Sequence, residues 1–302
     1  PAWPEPISAA SFVQVATEGA IHRFPDRVDR ARFVHDVASA VMSNFATADL
    51  GNPMKLAASL GPAVEGGHLR IYLSAVDEQG VVEDLGAGGA VSPLGGDSLI
   101  VANQSLAGTG AGSLHRRIRY SVDVDPGGQP AAVAGRLEVL LQNAAPDGRS
   151  GPKKAAAEGG ADDVRASLTV FTPFRAGAAS VDGDPVALGM SDEFGRHRYS
   201  AEVTVPSGQS RTFRTVLVGR LQLTPGGWLS IDLPRGEASS DDYAEVSVRV
   251  PSGWRIARAS GIRQEGPRTA VIEIRQDRDH EVRLRLERDG LAGLWDRLWN
   301  QP

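Results

Sequence analysis

Three arginines surround the first turn of a predicted helix, where positive charge is electrostatically unfavourable. Arg23, Arg27 and Arg30 flank Asp26, a good N-cap residue. A helix N-terminus carries a partial positive charge and unpaired N–H groups, so it attracts anions and repels cations. Guanidinium groups there indicate an anionic ligand such as a phosphate or pyrophosphate. The alternative is that Asp26 and Asp29 neutralise the arginines as surface ion pairs.

Two further basic positions are candidates for the same anion. His68 and Arg70 alternate on a predicted strand and could face a cleft shared with the helices. The alternative for His68 is a structural histidine, because no carboxylate or second histidine lies at ligand spacing. Arg116 is the third candidate; it begins a strand with a basic run, which is also typical of an edge strand protected against aggregation.

Composition and motifs exclude several classes of function. The 302-residue chain has no cysteine and a net charge of −5, so it has no thiolate chemistry and no overall basic character for binding nucleic acid. Patterns typical of zinc, calcium, redox or triad sites do not occur in it. We therefore expect no metal, no cofactor and no nucleic-acid partner, and we identify no catalytic residue and no enzymatic activity for this chain alone.

The first third of the chain is predicted to be mainly helical. Ser8 can cap a first helix, Asp26 a second, and Asn52-Pro53 begins a third. The second helix has apolar residues on one face: Val34, Val37, Ala38, Val41, Met42 and Phe45. A strand at Leu69, Ile71 and Leu73 and a short helix near 77–85 follow. A further strand at 99–102 completes a module over residues 1–105, interpreted as the end of a larger α/β domain.

From His115 onward the apolar period changes to two, which indicates strands. Turn sequences such as Asp125-Pro126-Gly127-Gly128 separate the runs. We predict an α+β chain in which residues 113–288 form an immunoglobulin-like antiparallel β-sandwich. The predicted strands include Leu137–Leu141, Ala166–Phe171, Tyr199–Val205, Thr212–Val218, Trp228–Leu233, Ala244–Val250, Ala270–Ile274 and Val282–Leu286.

Two segments lie outside this pattern. Residues 146–163 are polar and glycine-rich, and are predicted to form a loop between strands. Residues 290–300 place Leu291, Trp295 and Trp299 on one face of a short amphipathic helix. That helix either docks on its own chain or, through Trp295 and Trp299, contacts a membrane or a partner protein.

An ordered series of short motifs resembles the DUF4012 family over roughly residues 5–255. The series is Phe24-Pro25-Asp26 with Arg30 and Phe33, Gly67–Tyr72, then Asn103, Arg116 and Tyr120, and the strand ending at Pro146. These are actinobacterial and other bacterial membrane-anchored proteins of unknown function. The resemblance implies an extracytoplasmic protein of the cell envelope. Because the chain opens at Pro1 without a methionine, we expect it to be the C-terminal portion of a parent anchored by an N-terminal transmembrane helix.

The helix with Arg27 and Arg30 is also distantly similar to one in the LytR-CpsA-Psr cell-wall glycopolymer transferases, whose arginines help to bind polyprenyl-pyrophosphate-linked glycans. The resemblances imply an accessory or structural module in surface glycan assembly. Its partners would be a polyprenyl-phosphate-linked glycan or cell-wall polymer and the upstream half of its own parent. One alternative is part of a phosphotransferase, with the arginine helix as one wall of its site. A second is a structural, adhesion-type sandwich.

Overall fold

The computed structural model describes residues 3–8, 11–24, 26–47, 60–64, 69–84, 87–88, 96–105, 114–144, 163–193, 195–234 and 242–290. The chain divides into two compact units, Pro1–Gly61 and Pro62–Pro302. This division lies well before the predicted module boundary at 105, because the residues that follow 96 contribute strands to the second unit.

The first unit is mainly helical over residues 11–47, whereas residues 3–8 are irregular. It contains α1 (Phe12–Gln14), a π-helical turn (Val15–Gly19), α2 (Ala20–Arg23) and α3 (Arg27–Thr47). The predicted N-cap of α3 is confirmed, since the Asp26 carboxylate accepts hydrogen bonds from the backbone N–H groups of Val28 at 2.8 Å and Asp29 at 3.1 Å. The third predicted helix lies mostly outside the described residues, although residues 60–64 are helical.

The small core of this unit uses only part of the predicted apolar face of α3, since Val37 packs against it beside Phe33. Phe33 is buried and packs against Trp3 and Phe24, with ring centroids 5.6 and 4.9 Å away. Val41 and Met42 are more than half exposed. The large aromatic side chain of Phe33 therefore decides which side is buried, since aromatic rings carry more apolar area than valine or methionine.

The second unit contains α4 (Val76–Asp84), where the short helix was predicted. The predicted strand at 69–73 is wrong, because these residues have no regular secondary structure and no strand among the described residues pairs with them. The described part contains strands β1 (Asp97–Ser98), β2 (Ile100–Ser105), β3 (Leu114–Asp125), β4 (Ala131–Asn143), β5 (Val164–Thr172), β6 (Arg175–Val181), β7 (Asp184–Val186), β8 (Gly189–Glu193), β9 (Arg196–Val205), β10 (Ser210–Leu221), β11 (Trp228–Leu233), β12 (Tyr243–Arg249), β13 (Trp254–Ser260), β14 (Arg263–Gln264), β15 (Thr269–Arg275) and β16 (His280–Arg288).

These strands form a β-rich, sandwich-like body with one large and two small sheets. The large sheet has the order β14-β15-β12-β3-β4-β10-β6-β7. The small sheets have the orders β1-β11-β16-β13 and β2-β5-β9-β8. The prediction of a purely antiparallel fold is wrong, because β3 pairs with β12, and β1 with β11, in parallel. The long connections from β3 to β12 and from β1 to β11 allow those parallel pairings.

Alternation along the strands builds one continuous core. Strand β3 buries every second residue from Leu114 to Val124, and β4 does the same from Ala131 to Asn143. The buried residues of all three sheets belong to a single cluster that begins at Leu99 and ends at Leu286. Each fully buried valine or leucine contributes roughly 1.5–3 kcal/mol, which makes this period-two pattern the main determinant of the body.

The predicted turns fall between the strands as expected. Asp182 and Gly183 have φ angles of 52° and 98° and join β6 to β7, where Val181 pairs with Asp184. Positive φ at both central residues matches the twist of a two-residue hairpin. The predicted loop at 146–163, except Asp163, and the predicted terminal helix with Trp295 and Trp299 lie outside the described residues.

Candidate functional site

Arg23 and Arg30, beside the start of α3, contact aromatic rings and a backbone carbonyl. Arg30 donates from Nη1 to the carbonyl oxygen of Phe24 at 3.1 Å, which satisfies the last carbonyl of the preceding helix. The Arg23 guanidinium lies 5.9 Å from the ring centroids of both Trp3 and Phe24. The side chain of Arg27 lies outside the described residues. Asp26 caps the helix, and Asp29 lies 3.9 Å from Arg32.

A concave apolar surface lies beside this helix within the first unit. Its volume is about 720 Å³, and its lining includes Trp3, Phe12 and Phe33 together with the carboxylates of Glu5 and Asp36. Apolar groups fit such a surface, because they replace water at aromatic and aliphatic side chains. The two carboxylates disfavour an anion there, since like charges repel.

Of the two candidates on the second unit's leading segment, Arg70 pairs with a carboxylate. Arg70 donates to the carboxylate of Asp279 at 3.0 Å in an exposed ion pair. His68 lies outside the described residues. The ion pair joins the segment before α4 to the turn between β15 and β16, and a pair of this exposure contributes at most about 1 kcal/mol.

Arg116 is buried at a junction between sheets. Its side chain is 0% exposed and lies 3.4 Å (Nε to Oδ2) from Asp242, whose Oδ1 also accepts the Arg116 backbone N–H at 2.7 Å. The guanidinium donates to Asn103 at 3.1 Å, to Gln276 at 3.0 Å and to the carbonyl oxygen of Val101. These partners come from β2 and from one end of the β12–β15 pair, where Asp242 precedes β12 and Gln276 follows β15. The side chain therefore ties a small sheet to the large one.

The interpretation of the basic run 115–119 as an edge strand is wrong. Strand β3 lies in the middle of the large sheet, between β12 and β4. Its outward arginine Arg119 forms ion pairs with Glu138 on β4 and Glu245 on β12. The charges of this strand therefore link neighbouring strands, and only Arg116 points into the core.

A second buried polar contact joins β1 to β3. The Tyr120 hydroxyl donates to Asp97 Oδ2 at 2.7 Å, and both side chains are fully buried. Burial raises the pKa of Asp97 to about 7; the Asp232 charge adds to this rise, and hydrogen bonds from Tyr120 and Ser98 oppose it. Burial and the Asp97 charge also raise the pKa of Tyr120 well above its ordinary value.

Asp232 links this contact to the third sheet. Burial lowers the pKa of Arg196, the first residue of β9, and the negative charge of Asp232 opposes that shift. We call Asp97, Tyr120, Asp232 and Arg196 the three-sheet junction, because they come from all three sheets. Gly135 leaves room for the Tyr120 ring, since a Cβ there would lie 2.7 Å from Tyr120 Cε2.

Within the three-sheet junction, the Asp97 carboxyl can hold a proton near neutral pH, but this carboxyl is buried away from solvent. A buried acid with a raised pKa is a common property of catalytic sites, and it also occurs at structural contacts. Asp97 is 0% exposed, so the geometry favours the structural role. Sequence reasoning did not single out Asp97; its position two residues before the apolar run Leu99–Val101 was the available signal.

No metal-binding group of three or more acidic or histidine side chains occurs within the ranges that the structure describes. Over the same ranges, no helix combines the length and apolar character that a membrane crossing requires.

The described candidate site residues fall into two groups. Arg23 and Arg30 belong to the first unit, and Arg70 and Arg116 form contacts within the second.

No protein-family model and no curated protein matches the chain. Among solved structures, it is similar to a candidate nutrient binding protein from Legionella pneumophila, with a TM-score of 0.42 and 9% identity over 63% of this chain and 72% of that one. It is also similar to an M1 zinc metallopeptidase from Deinococcus radiodurans, with a TM-score of 0.32 and 16% identity over 58% of this chain and 43% of that one. Native leukotriene A4 hydrolase from Saccharomyces cerevisiae gives a TM-score of 0.31 and 11% identity over 57% and 29%. The chain thus spans less than half the length of the last two proteins.

Proposed function

We propose that this chain is an accessory or structural module of an extracytoplasmic cell-envelope protein that acts in surface glycan assembly and is not itself the catalyst. The observation that carries the non-catalytic part is the Arg30 contact: its guanidinium donates to the Phe24 carbonyl oxygen. The carboxylates of Glu5 and Asp36 beside the adjoining concave surface support the same conclusion. An anionic ligand would have to displace the hydrogen bond from Arg30 to Phe24 and would be repelled by the carboxylates of Glu5 and Asp36.

The cell-envelope part of the proposal rests on the resemblance to the DUF4012 family. It includes a membrane-anchored parent, an extracytoplasmic location, and a polyprenyl-linked glycan or cell-wall polymer as partner. We also propose that the sandwich is immunoglobulin-like. The N-terminal module would then be the end of a larger α/β domain. The parallel pairing of β3 with β12 is the clearest departure from an immunoglobulin pattern.

The non-catalytic proposal is tested by binding to vesicles that contain a polyprenyl pyrophosphate, with vesicles of the monophosphate as control. Surface plasmon resonance of the whole chain should show equal, weak responses to both. The variant Arg23→Ala/Arg27→Ala/Arg30→Ala should behave like the unchanged chain. A preference for pyrophosphate that this variant loses would refute the proposal and favour the phosphotransferase alternative.

The glycan-partner part needs a separate measurement. The folded whole chain should sediment with purified, insoluble cell-wall glycan. The same protein, unfolded by heat before mixing, should stay in the supernatant. Retention on protein-free cellulose to the same extent would show that the association is nonspecific. In that case the adhesion-type or purely structural alternative would replace a role in glycan assembly.

A further inference from the structure

The outer face of the large sheet is cationic although the whole chain is acidic. On β3, β4, β10, β12 and β15, alternate residues point away from the core, as the alternating burial shows, and Arg175 on β6 pairs in register with the outward Val218. The outward arginines and carboxylates on these six strands number eight and five, in a chain of net charge −5. They are Arg117, Arg119, Arg136, Arg175, Arg214, Arg220, Arg249, Arg275, Asp123, Asp125, Glu138, Glu245 and Glu273.

Part of this face, on β4, β10 and β6, has an apolar centre. Val216 and Val218 on β10 are 45% and 47% exposed. Val218 lies in register between Ala134 on β4 and Arg175 on β6. Gly177 lies beside Val216, since a Cβ on it would be 3.9 Å from the Val216 Cβ. Because these neighbours include alanine and glycine, the valines stay open to solvent. We call Val216, Val218 and the arginines around them the β10 patch.

The arginines of the β10 patch are of two kinds. Arg136 and Arg214 form ion pairs with Asp123 at 3.1 Å and Glu138 at 2.8 Å. Arg175 and Arg220 are exposed, and neither has a carboxylate partner within the described parts of the chain. Arg220 lies two residues beyond Val218 on the same face, and Arg175 lies directly beside it. The positive charges that remain uncompensated therefore adjoin the apolar centre.

A shallow cavity continues the patch on its β4 side. It has a volume of about 400 Å³, and its lining includes Ala132, Ala134 and Pro251 together with Asp123 and Asp125. Asp123 is paired with Arg136 and Arg249, so the cavity accepts an apolar side chain, and the partner's carboxylates lie on the β6 side of the patch. Protein interfaces commonly combine an apolar centre, an anchoring hollow and an arginine-rich rim. A simple polyanion would use the guanidinium groups but would have no need of the valines or the cavity.

From this combination we propose that the β10 patch docks an acidic partner protein. The partner's apolar side chains cover Val216 and Val218, and its carboxylates pair with Arg175 and Arg220. Guanidinium forks bind carboxylates in bidentate geometry, which also sets the orientation of the partner. This inference does not depend on the proposed function, because it concerns a different surface from the arginine helix.

The probe for this proposal is a fluorescent amphipathic helical peptide with a leucine stripe flanked by glutamates. Fluorescence anisotropy with the whole chain at low salt should show binding. The variants Val216→Thr/Val218→Thr and Arg175→Gln/Arg220→Gln should each weaken it about tenfold, the effect of losing roughly 1.4 kcal/mol of contact. The control Arg263→Gln removes an exposed arginine that is paired with Glu265 elsewhere on the sheet and should leave binding unchanged.

Two results would overturn the proposal. One is the absence of binding, or equal binding of a peptide with lysine in place of glutamate. The other is a loss of peptide binding in the arginine variant with no loss in the valine variant, together with binding of poly-L-glutamate as tight as that of the peptide. That result would show that the face binds polyanions in general. Circular dichroism of each variant checks that the sheets remain folded, which is expected because all four positions are exposed.

Discussion

At the scale of single residues, the polar groups buried in the second unit act on the fold. The Arg116 guanidinium pairs with Asp242 and donates hydrogen bonds to Asn103, Gln276 and a backbone carbonyl. Asn103, Arg116 and Tyr120 also belong to the motif series that resembles a known family, so these motif residues serve contacts between sheets. Removing one partner of such a buried pair costs more than the pair contributes, because a desolvated charge is left behind.

Replacing Asp97 by Asn should remove a specific pH dependence of stability. The pKa of Asp97 rises from 3.8 to about 7 on folding, so its contribution is complete below pH 4. Between about pH 4 and 7 the unfolded chain releases this proton while the folded chain retains it, which lowers the unfolding free energy by roughly 4 kcal/mol in total. Urea unfolding at pH 5 and pH 8 should show roughly 3 kcal/mol of this loss in the unchanged chain, because about two pH units of the titration lie in that range, and should not show it in Asp97→Asn. The exposed control Asp289→Asn should keep it; equal pH dependence in all three proteins would contradict the assignment.

Arg116→Met should destabilise the second unit by about 3–5 kcal/mol, since it removes the guanidinium that lies 3.4 Å from the buried Asp242 carboxylate. Arg119→Met is the matched control on the same strand. Its ion pairs with Glu138 and Glu245 are half exposed, and the expected loss is under about 1 kcal/mol. Urea midpoints measure both. The double variant Arg116→Met/Asp242→Leu should recover part of the loss, and similar losses in the two single variants would argue against a buried joint.

At the scale of elements, the hairpins were predictable and the small sheets were not. The β3–β4 pair keeps its register over its whole length, from Leu114 opposite Asn143 to Asp125 opposite Ala132. Its alternation and turn residues are local, and both are visible in the sequence. Strand β1 has only two residues and is held by β11 and by the Tyr120 hydroxyl. No local pattern predicts a strand of that length.

Gly227→Ala tests a close approach between elements. Gly227 has a φ angle of 76°, and a Cβ there would lie 2.7 Å from the carbonyl oxygen of Leu286 on β16. Gly253→Ala is the matched control, with a φ angle of 86° and no atom within 4 Å of the added Cβ. Both variants carry the cost of positive φ, about 1 kcal/mol. Thermal unfolding should show a larger loss for Gly227→Ala, by a further 1–3 kcal/mol; equal losses would mean that β16 moves aside freely.

At the scale of the whole molecule, the described residues form a separate core cluster in each of the two units. The cluster of the first unit consists of Val15, Ala20 and Phe33 with their neighbours, and that of the second runs from Leu99 to Leu286. Independent cores are the physical basis of separately folding domains.

A fragment of residues 62–302 should therefore fold without the helical unit. Its circular dichroism should show the β-rich spectrum, and its main thermal transition should lie within a few degrees of that of the whole chain. The reason is that the core cluster described for this fragment is built from residues 99–286 of the fragment itself. A fragment that lacks a cooperative transition would show that the first unit contributes to the stability of the second.

The sequence by itself determined the local features of this protein: the N-cap of α3, the period-two strands from β3 onward and the turns between them. Each depends on residues within a few positions of one another. Only the tertiary structure decided that β3 is central, that parallel pairs occur, and that Arg116 and Asp97 are buried. Those outcomes depend on contacts across more than a hundred residues, such as Arg116 with Asp242 and Asp97 with Asp232. The residues next to Arg116 and Asp97 in the sequence do not identify these distant partners. The burial of both side chains and the raised pKa of Asp97 are therefore determined only when the sheets assemble.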